Sequence, residues 1–230
     1  YTSLRDNDIK EGNLGERFDA IILPDDPTPF IAGEGIEEWW KEHRPHRPLP
    51  VYPPEYRSGI GEEGVEALRR FVEDGGTLVA LNRSCGFAVE TLGLKVRDVL
   101  AGVPSKEFFC PGSTLHARVD LSHPLGYGMP GESLVFFWDS PAFEVLPSGF
   151  NDLYEIVVSY PDGDILQSGW LIGEERLRRR AAMISARVGE GRVVLIGFRA
   201  QHRAQTHGTF KLLFNSLLGR TPLFHDVKWS

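Results

Sequence analysis

Gly75-Gly76-Thr77-Leu78-Val79-Ala80-Leu81-Asn82-Arg83-Ser84-Cys85-Gly86-Phe87-Ala88-Val89-Glu90 is the stretch that decides the fold. It is a glycine break, a short apolar strand, a polar turn and the start of a helix. Residues 77–81 are β-branched and aliphatic, too few for a helix and without the alternation of a half-wet strand. That pattern predicts a parallel strand covered on both faces, central in its sheet. Asn82 to Ser84 supply turn and N-cap chemistry, and Phe87, Ala88 and Leu92 are the expected buried side of the helix that follows. Cys85 therefore stands where the carboxyl end of a strand meets a helix N-terminus, the place from which open α/β sheets present a nucleophile or hold a ligand.

Moving upstream, residues 62–74 carry Val65, Leu68, Phe71 and Val72 on one helical stripe, with Gly75-Gly76 as the stop. This predicts the crossover helix that feeds the central strand. Ala20 to Leu23 form a second continuous apolar run, expected beside the first in a parallel sheet with Asp25 and Asp26 at its carboxyl edge. Between them lies a proline-rich segment, 27–59, with the pair Trp39-Trp40 and the basic piece His43-Arg44-Pro45-His46-Arg47-Pro48. A connection that long is a functional or ordered insertion when it carries aromatics. Residues 6–14 predict a short capped helix with a glycine exit.

Downstream the pattern changes to strands. Residues 113–120 alternate, with Leu115, Ala117 and Val119 on one face and His116, Arg118 and Asp120 on the other. Segments 133–138, 143–146 and 155–160 are further strand candidates, and 181–188 with 192–198 predict a hairpin around Gly189-Glu190-Gly191. Phe210, Leu213, Phe214, Leu217 and Leu218 fall on one stripe of a closing helix ending at Gly219. The expectation is one domain over 1–220 with the 27–59 insertion and a tail at 221–230.

Of the 230 residues, 41% are hydrophobic and the net charge is −7, with the acidic excess concentrated before residue 75. Nucleic acid does not suit that balance, since Arg176, Arg178, Arg179 and Arg180 form the one dense basic cluster and no aromatics interleave it. No run approaches the roughly 20 apolar residues that cross a bilayer, so membrane insertion is not expected. Cys85 and Cys110 show neither metal-binding spacing nor a disulfide framework.

Four segments together resemble a known family: residues 19–25, residues 53–61, Phe87-Ala88-Val89-Glu90, and Gly197-Phe198-Arg199-Ala200-Gln201-His202-Arg203-Ala204-Gln205-Thr206-His207-Gly208-Thr209-Phe210. The chain is similar to the class I glutamine-amidotransferase-like C-terminal domain of large bacterial zinc carboxypeptidase-like proteins. The resemblance implies a flavodoxin-like, mostly parallel sheet with helices on both faces and a β-rich C-terminal half. It also implies an exported parent, an upstream peptidase domain as partner, and zinc held by that domain. Carboxypeptidases of that kind hold zinc with His-x-x-Glu and a distant His. None of the seven histidines here has glutamate three residues on, so no cofactor and no metal are expected in this chain. The same likeness puts the first strand and helix of the fold before Tyr1, makes residues 1–4 the second strand, and leaves an edge that the insertion or a second copy of the chain would cover.

A working amidotransferase needs a thiolate, a base, an acid to orient the base, and a backbone oxyanion hole. In the class I family these come as Gly-x-Cys-x-Gly and His-x-Glu. Here Arg83 and Phe87 stand at the two glycine positions around Cys85, and His-x-Glu is absent. Large side chains at such a turn crowd the oxyanion pocket. Three readings follow. The first is a noncatalytic accessory or interaction domain. The second is a cysteine hydrolase using Cys85 with His202 or His207, both expected at the same sheet edge as Asp25. The third is a carbohydrate- or peptide-binding module in which Trp39, Trp40, Trp138 and the strand-end acids Asp25 and Asp26 meet the ligand.

Overall fold

The computed structural model describes residues 1–51, 53, 59–147 and 153–218. The architecture is mixed α/β, built on a curled ten-stranded sheet. β1 (Ala20–Leu23) pairs parallel with β2 (Thr77–Leu81), in register from Ala20 opposite Thr77 to Leu23 opposite Ala80. On the other side β2 pairs parallel with β10 (Gly191–Ile196). From β10 onward the pairing turns antiparallel, through β9 (Ala181–Val188) and β7 (Tyr154–Ser159) to β4 (Pro111–Val119) and β5 (Glu132–Trp138). The short strands β3 (Val96–Asp98) and β6 (Phe143–Val145) pair with each other, and β8 (Leu166–Ser168) pairs with β4.

The expected mostly parallel sheet is thus corrected: among the described residues only β1, β2 and β10 run parallel. The reason lies in the connections. A parallel neighbour needs a crossover, which α5 (Gly61–Glu73) supplies ahead of β2, whereas the two-residue turn at Gly189-Glu190 forces β9 and β10 into a hairpin. Gly189 takes φ +57° there, and a Cβ on Gly191 would stand 2.0 Å from the Val72 carbonyl oxygen, so the hairpin tip is seated directly on the end of α5.

β2 is buried along its whole length and alternates between two cores. Leu78 and Ala80 join Leu68, Phe71 and Val72 of α5 and Phe87 and Ala88 of α6 (Ser84–Thr91) on one face. Val79 and Leu81 join Leu115, Val135 and Phe137 of the antiparallel strands and Leu212 of α7 (Phe210–Leu218) on the other. The sheet therefore curls its β4–β5 half over the second face while helices cover the first, and α7 adds a helix to the second. Each large side chain so buried contributes about 1.5–3 kcal/mol.

Three further expectations change. Residues 1–4 are not a strand; they lead into α1 (Asp6–Lys10), and β1 forms the sheet's edge. The expected 6–14 helix breaks at Gly12 and Asn13, both at positive φ, before α2 (Leu14–Arg17). In α7, Leu213 and Leu217 pack against the core as expected, but Leu212 and Ser216 are buried while Phe214 and Leu218 are 56% and 55% exposed, so the helix is rotated partly off the expected stripe. A 3-10 turn at His207–Thr209, tied by Thr209 to the Ala200 carbonyl at 2.6 Å, leads into the helix. The insertion contains α3 (Thr28–Ala32) and α4 (Ile36–His43). Its residues 54–58, the Gly219 helix stop and the 221–230 tail lie outside the described residues.

Candidate functional site

The three parallel strands deliver their carboxyl ends to one edge. Asp25 follows β1, Asn82 and Arg83 follow β2, and Arg199 follows β10. The side chains converge on Asp25. Its Oδ1 accepts from Asn82 Nδ2 at 3.1 Å, from the Arg83 main-chain N–H at 3.3 Å and from Arg83 Nε at 2.8 Å. Arg83 Nη2 donates to the Asp25 carbonyl at 3.0 Å. Arg199 Nη1 lies 2.7 Å from Oδ2, an ion-pair contact rather than an aligned hydrogen bond. With side chains 18%, 32% and 22% exposed, Asp25, Arg83 and Arg199 form a linked pair of charge-assisted contacts sheltered from water.

Local sequence explains the geometry. Asn82 takes φ +53°, a conformation asparagine tolerates better than most residues, and turns its buried amide onto Asp25 and the Asp139 carbonyl. Asn82 Oδ1 is left buried without a partner among the described residues. Ser84, expected as a helix cap, instead turns its hydroxyl back toward the Leu81 and Leu23 carbonyls at 2.9 and 3.2 Å and accepts from Leu81 N–H. It pins the ends of β1 and β2 together.

Cys85 lies beneath this layer and is fully buried. Its Sγ faces the Ala80 and Ile196 carbonyl oxygens at 3.3 and 3.6 Å. Burial drives the thiol well above its ordinary range. No contact joins it to either candidate base among the described residues. His202 packs instead on Phe136 and Trp138, with ring centroids 4.6 and 5.7 Å apart, and His207 packs on Phe210 at 5.2 Å. Loss of solvent, then Arg199 and Arg203, push the His202 imidazole down. Trp138 is 41% exposed, and the Arg199 guanidinium sits 5.2 Å over its ring while Nε donates to the Trp138 carbonyl. His202, Trp138 and Arg199 thus continue the network outward from Asp25. Asp26 faces solvent, yet loss of solvent around its carboxyl and the adjacent Asp25 raise it, with Arg83 opposing.

A groove of about 1170 Å³ opens beside this edge. Trp39, Arg83, Asp98, Phe108 and Trp138 are among its walls, so the insertion and the β2 and β5 ends share one cleft. Trp39 is set there by stacking on His43 at 4.4 Å and by Phe30 at 5.3 Å. Trp40 points elsewhere, its Nε1 donating to the Arg47 carbonyl at 2.7 Å. Among the described residues no cluster of three or more His, Cys, Asp or Glu is arranged to hold a metal ion, and no helix is long and apolar enough to cross a membrane.

Asp25, Trp39 and Trp138 are legible in the sequence as candidate site residues; Arg83, which there reads only as a large side chain at the cysteine turn, and Arg199 and Asp98 are not. The available signal was charge pairing: an acid after one apolar run and an arginine after each of two others.

No family model and no curated protein matches the chain. Solved structures that resemble it include a cytoplasmic protein from Salmonella typhimurium, at 10% identity and TM-score 0.49 over 93% of this chain and 78% of that one. A ThuA-like protein from Bacteroides uniformis aligns at 14% identity and TM-score 0.42 over 88% of this chain and 90% of that one. A GMP synthase protein from Thermoplasma acidophilum aligns at 12% identity and TM-score 0.42, over 67% of this chain and 63% of that one. Such partial likenesses assign no role to any residue.

Proposed function

We propose that this chain is a noncatalytic interaction domain of the class I glutamine-amidotransferase-like type. On the resemblance of its motifs, we further propose that it is accessory to an exported zinc carboxypeptidase-like protein whose peptidase domain holds the zinc. The observation that carries the noncatalytic reading is the state of Cys85: completely buried, its thiol directed at two main-chain carbonyls, under a turn filled by the Arg83–Asp25 ion pair. A nucleophile needs the thiolate form, a base within hydrogen-bond reach and room for a substrate carbonyl beside the sulfur.

The test is ammonia release from glutamine, together with native-state labelling of Cys85 by iodoacetamide at pH 6. The expectation is no glutamine turnover and no labelling until the protein is unfolded. Rapid labelling that is lost in His202→Ala or His207→Ala would restore the cysteine hydrolase reading. The family placement is tested separately: a longer reading frame in which a peptidase domain precedes this one supports it, and a frame without one removes it.

A binding role gains support from the groove, whose solvent-open aromatic walls suit a ligand better than they suit packing alone.

A further inference from the structure

Asp98 ends β3 and lines the groove. Its Oδ1 accepts two main-chain N–H groups, from Leu100 at 2.9 Å and Ala142 at 3.1 Å. These tie one carboxylate oxygen to the wall. Oδ2 has no partner among the described residues and is not sealed in the interior, so it is the oxygen a ligand can reach. Burial raises the Asp98 carboxyl, the two N–H donors oppose this, and no neighbouring cation contributes. The groove's own cations do not balance it, because Arg83 is paired with Asp25 and Arg97 with Glu144. Glu90 and Asp139 add two exposed acids to the same lining, against Arg44 as the remaining arginine. A half-buried carboxylate without a countercharge is costly, and such groups collect where ligands bind.

We infer that Asp98 anchors a lysine side chain of a peptide segment laid in this groove. The inference rests on reading the chain as an interaction domain and names what that domain binds. With Oδ1 already used, the carboxylate offers a single contact. That matches the point charge of an ammonium better than the two-pronged fork of a guanidinium. The walls match the rest of the side chain: Phe109 and Trp138 are 39% and 41% exposed, and such aromatic surface covers a methylene stem and faces its cation favourably. The size argues for a peptide over a free amine. At about 1170 Å³ the groove exceeds what a small molecule fills, so main chain on either side of the lysine would occupy the rest.

The experiment titrates the intact chain with three probes: an acetylated, amidated alanine-flanked pentapeptide with central lysine, the same peptide with norleucine, and cadaverine. Asp98→Asn is the variant, since its amide oxygen still accepts from Leu100 and Ala142. The lysine peptide should bind the native chain at least about tenfold more tightly than it binds Asp98→Asn, the effect expected of one charge-assisted contact. The norleucine peptide should bind the native chain as weakly as the lysine peptide binds the variant. Equal affinity of the two peptides for the native chain overturns the inference even if the variant does not fold. So does unchanged affinity in a folded variant, no binding at millimolar peptide, or cadaverine binding as tightly as the lysine peptide. Failure here leaves the Cys85 labelling and glutamine results untouched, so the two proposals fall separately.

Discussion

Arg83 holds Asp25 from two directions, its Nε donating to Oδ1 at 2.8 Å and its Nη2 donating to the main-chain carbonyl at 3.0 Å. Arg83, two residues before the cysteine, is therefore a structural tie between the ends of β1 and β2. It shares its acid with Arg199, just after β10, so the ends of all three parallel strands meet at one carboxylate.

Removing that carboxylate should cost more than a surface ion pair would. Asp25→Ala leaves the buried Asn82 amide with one weaker acceptor and strands two arginines, for an expected loss of about 2–4 kcal/mol. Urea unfolding measures it, and a loss under about 0.5 kcal/mol, the size of an exposed pair, would show that the network is not sheltered.

Cys85 and Cys110 both have thiols raised by burial. A folded thiol that keeps its proton while the unfolded one ionises contributes stability that is fully present below the unfolded value, near 9.0, and is lost as pH rises beyond it. Unfolding free energy should therefore fall between pH 8 and pH 10. Cys85→Ala should cost about 1 kcal/mol at pH 7 and flatten that fall, with Cys110 and the buried Tyr160 phenol, both also raised by burial, supplying the remainder. An identical slope in the variant counts against the buried thiol.

For His202 the sign reverses. Its imidazole is pushed below the ordinary 6.5, so the unfolded chain takes up the proton first, and stability present above pH 6.5 declines as pH falls. Imidazole resonances followed by NMR should titrate below 6.5 in the native chain and move upward in Arg203→Ala. A titration at or above 6.5 in the native chain would contradict the packing on Phe136 and Trp138.

The hairpin tip offers a steric test. A methyl group at residue 191 meets the Val72 and Gly76 carbonyl oxygens at 2.0 and 2.4 Å, both main-chain atoms that side-chain rotation cannot clear. Gly191→Ala should destabilise by at least about 2 kcal/mol. Gly163→Ala, where nothing lies within 4 Å, serves as the control. Similar thermal midpoints for the two would mean that the hairpin is not seated on α5.

The sequence alone determined what is local. The five-residue apolar run of β2, the 3.6-residue stripe of α5, the β9–β10 hairpin and the inward set Leu115, Ala117 and Val119 were all legible. In each the hydrophobic period or a glycine turn acts within a few residues. Strand direction was legible where a continuous apolar run or a glycine turn declared it, in the parallel β1–β2 pair and the β9–β10 hairpin; for β4, β5 and β7 it was not, because only the connections and the curl of the sheet decide how those strands pair. Nor was the rotation of α7 legible, because its start is tied to the loop before it, by Thr209 reaching back to Ala200, and helical periodicity does not encode such a bond. The site was legible in half measure. The position of Cys85 came from its own strand and turn, but whether its thiol could react depended on Ala80, Ile196, Arg83 and Asp25. Hydrogen-bond partners such as Arg83 and Asp25, 58 residues apart, meet only when separate strands end at one edge, and burial then sets their protonation.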